Sequence, residues 1–215
     1  EITDCDWSSD VCSSDLDDRV CAYTALMATA DCKDPRYTSV LVLTDKEETG
    51  SDGNTGLCSS YLQYFIADLA AAFGQEARTV LSHSRCLSAD VNAAFDPTFP
   101  DVLDPRNAAF LNYGVVVTKF TGARGKSGTS DASAEFVATI RNLMDENQII
   151  WQTGELGKVD MGGGGTVALY IANMDVDTID VGVPVMSMHA PMEVVAKIDV
   201  YMAYKAFLAF ISDKT

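Results

Sequence analysis

Histidine is scarce in this chain: His83 and His189 are the only two. Long apolar runs are also missing. No stretch approaches the roughly 18–20 apolar residues that a membrane span needs, so no membrane partner is expected. No basic segment followed by an apolar stretch marks a secretory signal. Basic residues are outnumbered, with 15 Lys and Arg against 31 Asp and Glu, giving a formal charge of -16. Such a chain repels phosphate backbones, which argues against a nucleic-acid partner. The six cysteines (Cys5, Cys12, Cys21, Cys32, Cys58 and Cys86) include no Cys-x-x-Cys pair. Without a signal segment they read as reduced, mostly buried thiols of a cytoplasmic protein, not as a disulfide framework.

The remaining composition is ordinary for a globular protein. A length of 215 residues suits one domain, and 47% hydrophobic residues are enough for a core. The acidity favours solubility and attraction to cations. Carboxylates gathered at one place need a metal or a cationic ligand beside them.

Residues 1–16 read differently from the rest. Ser8 to Leu16 contain a tandem of Ser-Ser-Asp, and beyond Trp7 there is almost no core material. With no amphipathic period, the segment is expected to pack against nothing. The string from Trp7 to Leu16 resembles translated sequencing-adapter read-through. Residues 1–16 are therefore set aside as a non-native or disordered leader. They carry five acids and no Lys or Arg, so the charge without them is -11.

From Asp17 onward, short apolar runs alternate with amphipathic stripes. Val40–Leu43, Val115–Val117, Ile149–Trp151 and Ile179–Met186 read as buried strands. Leu62, Phe65, Ile66, Leu69 and Phe73 fall at helical spacing after the candidate caps Ser59 and Ser60. Phe136, Val137, Ile140, Leu143 and Met144 form a second stripe, and residues 191 to about 211 a third. The alternation predicts an α/β sandwich with a largely parallel central sheet, without internal repeats or a long linker.

In such folds ligands bind beyond the carboxyl ends of the strands. The segments to inspect are therefore Asp17-Asp18-Arg19, Thr44–Gly50 with its pair Glu47-Glu48, Ser88–Asn92 with Asp90, and Ser187–Pro191 with His189. Asp, Glu and His are ligands of catalytic zinc. Adjacent glutamates on an extended chain diverge, so one can bind a metal while the other acts as a base toward water. Each piece also has a plainer reading. Asp-Asp before a helix is usually a cap, Glu-Glu in a loop is usually solvated, and a lone histidine is usually not a ligand. The run Gly162–Gly165 is open to two readings, a phosphate cradle or a tight turn. It lacks the Gly-Lys-Ser/Thr ending of a P-loop.

Several motifs together resemble the aspartyl aminopeptidase and aminopeptidase I family, metallopeptidase family 18 of clan MH, in its bacterial branch. They are Asp-Asp-Arg-Val-Cys-Ala-Tyr-Thr-Ala-Leu at 17–26, Asp-Lys-Glu-Glu-Thr-Gly-Ser at 45–51 and Ser-Ala-Asp-Val-Asn-Ala-Ala-Phe-Asp-Pro at 88–97. Gly-Ala-Arg-Gly-Lys at 122–126, Gly-Lys-Val-Asp-Met-Gly-Gly-Gly-Gly-Thr at 157–166 and Ser-Met-His-Ala-Pro at 187–191 complete the set.

The resemblance implies a three-layer zinc-peptidase-like sandwich. It makes 17–215 the C-terminal part of a catalytic domain, without the family's dimerisation domain. It implies a zinc-dependent aminopeptidase with two divalent zinc ions, for which cobalt or manganese could stand in, acting on peptide substrates. Full-length members form homo-oligomers. Asp17 would bridge both metals. Glu48 and His189 would complete one site, and Asp90 would serve the other. Glu47 would be the general base. The glycine run would line the pocket, with Gly164 and Thr166 binding substrate. A cis peptide is implied between Asp17 and Asp18. The family's second metal also takes a histidine well before the bridging aspartate. His83 comes after the Glu-Glu motif, so that ligand is not in this chain. The rival expectations are a folded, metal-binding but inactive fragment and a nucleotide-binding domain using the glycine run.

Overall fold

The computed structural model describes residues 10–13, 15–124, 127–158 and 160–214. Its strands are β1 (Asp10–Ser13), β2 (Arg85–Ser88), β3 (Asn92–Ala93), β4 (Val115–Thr118), β5 (Phe120–Ala123), β6 (Ser127–Asp131), β7 (Trp151–Thr153), β8 (Asp177–Gly182), β9 (Pro184–Val185) and β10 (Glu193–Ala196). The helices are α1 (Leu16–Asp31), α2 (Tyr61–Ala72), α3 (Ala77–Ser82), α4 (Ala134–Glu146), α5 (Ala168–Ala172) and α6 (Lys197–Ser212). No described helix is long and apolar enough to cross a membrane. Cys21, Cys32, Cys58 and Cys86 are free thiols.

The central sheet has the order β2-β8-β4-β7. The β2–β8 and β4–β7 pairs are parallel, and β4–β8 is antiparallel, so the sheet is mostly parallel. Side chains alternate across it. Val115, Val117, Ile179 and Val181 face the main core, with Cys21 and Ala25 of α1, Phe136 and Ile140 of α4, and Ala203 and Phe207 of α6. Val116 turns to the opposite face, where its methyl group lies close over Gly154. The predicted stripe in α4 is the one that is buried, through Phe136, Ile140, Leu143 and Met144. The Ser133 side chain caps this helix by accepting the Phe136 N–H at 3.2 Å. α1 and α6 pack along each other.

Four sequence expectations change. Val40–Leu43 has no ladder partner among the described residues, and Leu43 is 60% exposed. A groove of about 470 Å³ separates this run from β2, and β2 pairs only with β8. A strand needs a neighbour to accept its backbone hydrogen bonds, and this run has none within reach. Ile149 closes the end of α4 through its N–H to Met144 O at 2.9 Å, so the strand starts at Trp151. The third stripe is not helical throughout. Glu193–Ala196 forms β10, and the helix begins at Lys197. Finally, Asp10–Ser13 does find a partner, pairing antiparallel with β10, and Leu16 packs on the core. Trp7 lies outside the described residues, as does the side chain of Val11.

The sheet positions the candidate site. Asp90 follows β2, and His189 follows β9, which continues β8. The short pair β3–β9 holds these two exits side by side through Asn92 N–H to Val183 O at 2.9 Å and Ala94 N–H to Val185 O at 2.8 Å. The approach is so close that a Cβ on Gly182 would sit 1.4 Å from Asp90 O. Gly182→Ala is therefore expected to lower stability by at least about 2 kcal/mol through overpacking against backbone, as read by urea unfolding. An unchanged midpoint would contradict this packing.

Asp180, on the opposite face of β8, is 6% exposed. Burial pushes its carboxyl up to about 6, with the Ser88 and Thr166 hydroxyls opposing part of the rise. A folded value above the unfolded one means that the folded chain binds the proton more tightly. The contribution of Asp180 to stability is therefore fully present below about pH 4 and is lost as the pH rises through about 6. Asp180→Asn should be more stable than the parent at pH 8 by on the order of 3 kcal/mol. The gap should close at pH 4 in the same urea experiment. A difference that does not vary with pH would refute the assignment.

Candidate metal centre

Three separate segments bring the site together. Asp17 opens α1 with non-helical backbone angles, and the Asp17–Asp18 peptide is cis. Glu47 and Glu48 begin a single 3-10 turn, closed by Gly50 N–H to Glu47 O at 2.9 Å and Ser51 N–H to Lys46 O at 2.8 Å. His189 stands in a loop whose base is the Met186–Val194 pair, with reciprocal N–H to O contacts of 2.9 and 3.1 Å.

The three segments converge on the His189 imidazole. Its Nε2 lies 3.0 Å from Asp17 Oδ2 and 3.1 Å from Glu48 Oε1. One ligand atom from each of the three residues falls within 4.8 Å of the others. Two carboxylates and one imidazole are donors of the zinc type. Among the described residues this is the one group of three or more His, Cys, Asp or Glu side chains that close.

Asp90 borders the same cavity, of about 400 Å³, with Asp17, Glu47, Glu48 and His189. It stands apart from the triad, and its own Oδ1 accepts the Val91 N–H at 2.8 Å. Gly163, Gly164 and Gly165 form the opposite wall. Thr166 does not reach this cavity. It is buried beside Asp180, where its hydroxyl accepts the Ala168 N–H at 3.3 Å. His83 is exposed on the end of α3, with Nδ1 against Thr79 O at 2.8 Å. The glycine run folds back on itself through Gly162 N–H to Lys158 O at 2.7 Å.

The electrostatics match a cation-binding cavity. Burial, then repulsion from Glu48, raises the Asp17 carboxyl to about 6, with His189 opposing part of the rise. Asp18 is pushed up to about 8, chiefly by burial, although its carboxylate caps α1 by accepting the Cys21 N–H. Burial raises Glu47 and Asp90 as well, with the neighbouring acids adding to it. A positive charge in the cavity would offset these shifts, because an opposite charge nearby favours the ionised form. The donor set and the crowding of acids both fit a divalent metal.

The sequence reading missed Glu193. It is 1% exposed and accepts the Asp17 N–H at Oε2 (3.1 Å) and the His189 N–H at Oε1 (2.7 Å). The available signal was an acid directly preceding the apolar run Val194-Val195-Ala196, which fits a strand end as well as a helix face.

Comparison with known proteins agrees with this geometry. The family model described as aminopeptidase I zinc metalloprotease (M18) matches residues 9–211. The chain is 43% identical over 201 residues to the probable M18 family aminopeptidase 1 of Clostridium acetobutylicum, covering 92% of this chain and 43% of that protein. It is 46% identical over 204 residues to the protein of the same name from Borreliella afzelii, covering 92% and 44%. Among solved structures it superposes on an M18-family aminopeptidase from Thermotoga maritima with a TM-score of 0.92 at 40% identity, over 96% of this chain and 47% of that one. Aminopeptidase I from Clostridium acetobutylicum gives a TM-score of 0.89 at 43% identity, over 95% and 45%. The chain spans less than half the length of these relatives. On the family match over residues 9–211 and these identities, it belongs to the M18 family of aminopeptidase I zinc metalloproteases.

Proposed function

We propose that this chain carries most of the active site of a zinc-dependent aminopeptidase that removes N-terminal amino acids from peptides. The observation that carries the reading is the meeting of Asp17, Glu48 and His189 around one imidazole nitrogen, at 3.0 and 3.1 Å. These three residues hold one metal. Asp90, with Asp17, contributes to a second. A bound zinc supplies Lewis acidity and makes a water acidic enough to lose its proton near neutral pH.

The chain's own groups do the rest. Glu47 lines the cavity beside the triad without being part of it, and its raised proton affinity suits a base that takes a proton from water and passes it to the leaving amine. The glycine wall, including Gly164, offers backbone without side chains, so the main chain of a peptide can lie close to it. The nucleotide reading finds no support in the fold, since the helix after the glycine run, α5, has only five residues.

Among the described residues the second site, at Asp90 and Asp17, has no imidazole beside it, whereas the first has its three donors in Asp17, Glu48 and His189. Equilibrium dialysis is therefore expected to leave about one zinc bound per chain. His189→Ala and Glu48→Ala should each weaken binding by more than about tenfold. Glu47→Gln should retain zinc and lower hydrolysis of an aminoacyl anilide by roughly 10²–10⁴-fold relative to the zinc-loaded parent. Zinc bound as tightly by His189→Ala as by the parent would overturn the reading.

A further inference from the structure

We infer that Glu193 is a positioning residue of the metal centre: its single carboxylate fixes the backbones of Asp17 and His189 at the spacing a shared cation requires. The inference rests on the proposal that Asp17 and His189 hold a metal. It goes beyond that proposal by assigning a residue outside the ligand set.

The geometry is specific. Asp17 and Glu193 are 176 residues apart in sequence, yet Asp17 N–H reaches Oε2 at 3.1 Å. The other oxygen, Oε1, accepts the His189 N–H at 2.7 Å. Both oxygens point at backbone, so neither is offered to the cavity. The side chain is 1% exposed. An isolated buried carboxylate is costly unless hydrogen-bonded, and charge-assisted bonds of this kind are about twice as strong as neutral ones.

Glu193 is itself held firmly. It opens β10, and its neighbour Val194 makes the reciprocal pair with Met186 that closes the His189 loop. His189 sits at a positive φ of 64°, stabilised within the loop by Ala190 N–H to Ser187 O at 2.9 Å. Loops of this kind have few contacts of their own. The tie from Oε1 sets where the imidazole stands relative to Asp17. Glutamine cannot replace it, because an amide has only one acceptor oxygen and its NH₂ would face an N–H.

A similar device stands away from the candidate ligands. Asp199, 0% exposed, accepts the Asn112 N–H and the Gly114 N–H, both at 2.7 Å. Those two amides belong to one turn that bears no candidate ligand. Asp199 therefore provides the control, a buried carboxylate that accepts two backbone amides away from the candidate ligands.

The test compares Glu193→Gln, Glu193→Asp and Asp199→Asn with the parent chain. Zinc dissociation constants are measured by competition with a chelating dye, and the visible spectrum of the cobalt(II)-loaded chain reports ligand geometry. Urea unfolding without metal gives the stability of each. Glu193→Gln should weaken zinc binding about 10- to 100-fold and alter the cobalt spectrum at saturation. Asp199→Asn should lose stability while keeping the parent's affinity and spectrum. Glu193→Asp keeps the charge but is one methylene shorter. It should fall between parent and Gln, and it carries the test if the Gln variant does not fold. If the parent binds zinc and both Glu193 variants match it in affinity and spectrum, the inference fails. If Asp199→Asn perturbs both readouts as much as they do, the effect is one of stability and the inference also fails. If the parent binds no zinc, the failure lies in the underlying proposal.

Discussion

Asp17, Asp18, Glu47, Glu48 and Asp90 converge on one region with a single imidazole among them, and the burial of so many acids side by side is the constraint that the surrounding structure must meet. Burial and repulsion lift the proton affinities of Asp17 to about 6 and of Asp18 to about 8. Glu47 and Asp90 shift in the same direction for the same reasons. A shift of this kind alone does not mark a site, since buried Asp180 shows it too; what sets this group apart is that Asp17, Glu48 and His189 offer ligand atoms within 4.8 Å of one another. The imidazole at 3.0 and 3.1 Å supplies a nitrogen donor beside two of these carboxylates.

Holding such groups together requires backbone that does not yield. The β3–β9 pair runs the Asp90 and His189 exits in parallel, and Gly182 allows the Asp90 carbonyl to pass where any side chain would block it. The short 3-10 turn fixes Glu47 and Glu48 on adjacent positions. Glu193 then ties the start of α1 to the His189 loop. Asp90 and His189 stand on loops and Asp17 at the start of a helix, and the restraint comes from hydrogen bonds of the strands and turns beside them. That division is the usual arrangement for sites built on a rigid scaffold.

The parts of the fold that were legible in the sequence are those in which a residue's own neighbours decide its state. The α4 stripe and the run Val115–Val117 are of this kind, since period alone places their apolar faces. Val40–Leu43 shows the limit, because a strand is a property of a pair and its sequence does not say whether a neighbour is present. Val194-Val195-Ala196 fits both a helical and an extended period, so the start of α6 was placed too early. In the site, Glu48 and His189 are visible as an acid and an imidazole following apolar runs, Asp17 as an acid just ahead of an apolar helix, and Asp90 as an acid between them, in an order that resembles a family. Glu193 was not visible, because its partners are backbone amides that every residue carries.

The most direct measurement is a crystal structure of the zinc-soaked chain with anomalous data collected at the zinc edge. The account predicts a strong peak with a carboxylate oxygen of Asp17, a carboxylate oxygen of Glu48 and Nε2 of His189 each about 2.0–2.2 Å away. A zinc ion bound elsewhere, such as on exposed His83, with the Asp17–Glu48–His189 group left empty, would contradict it.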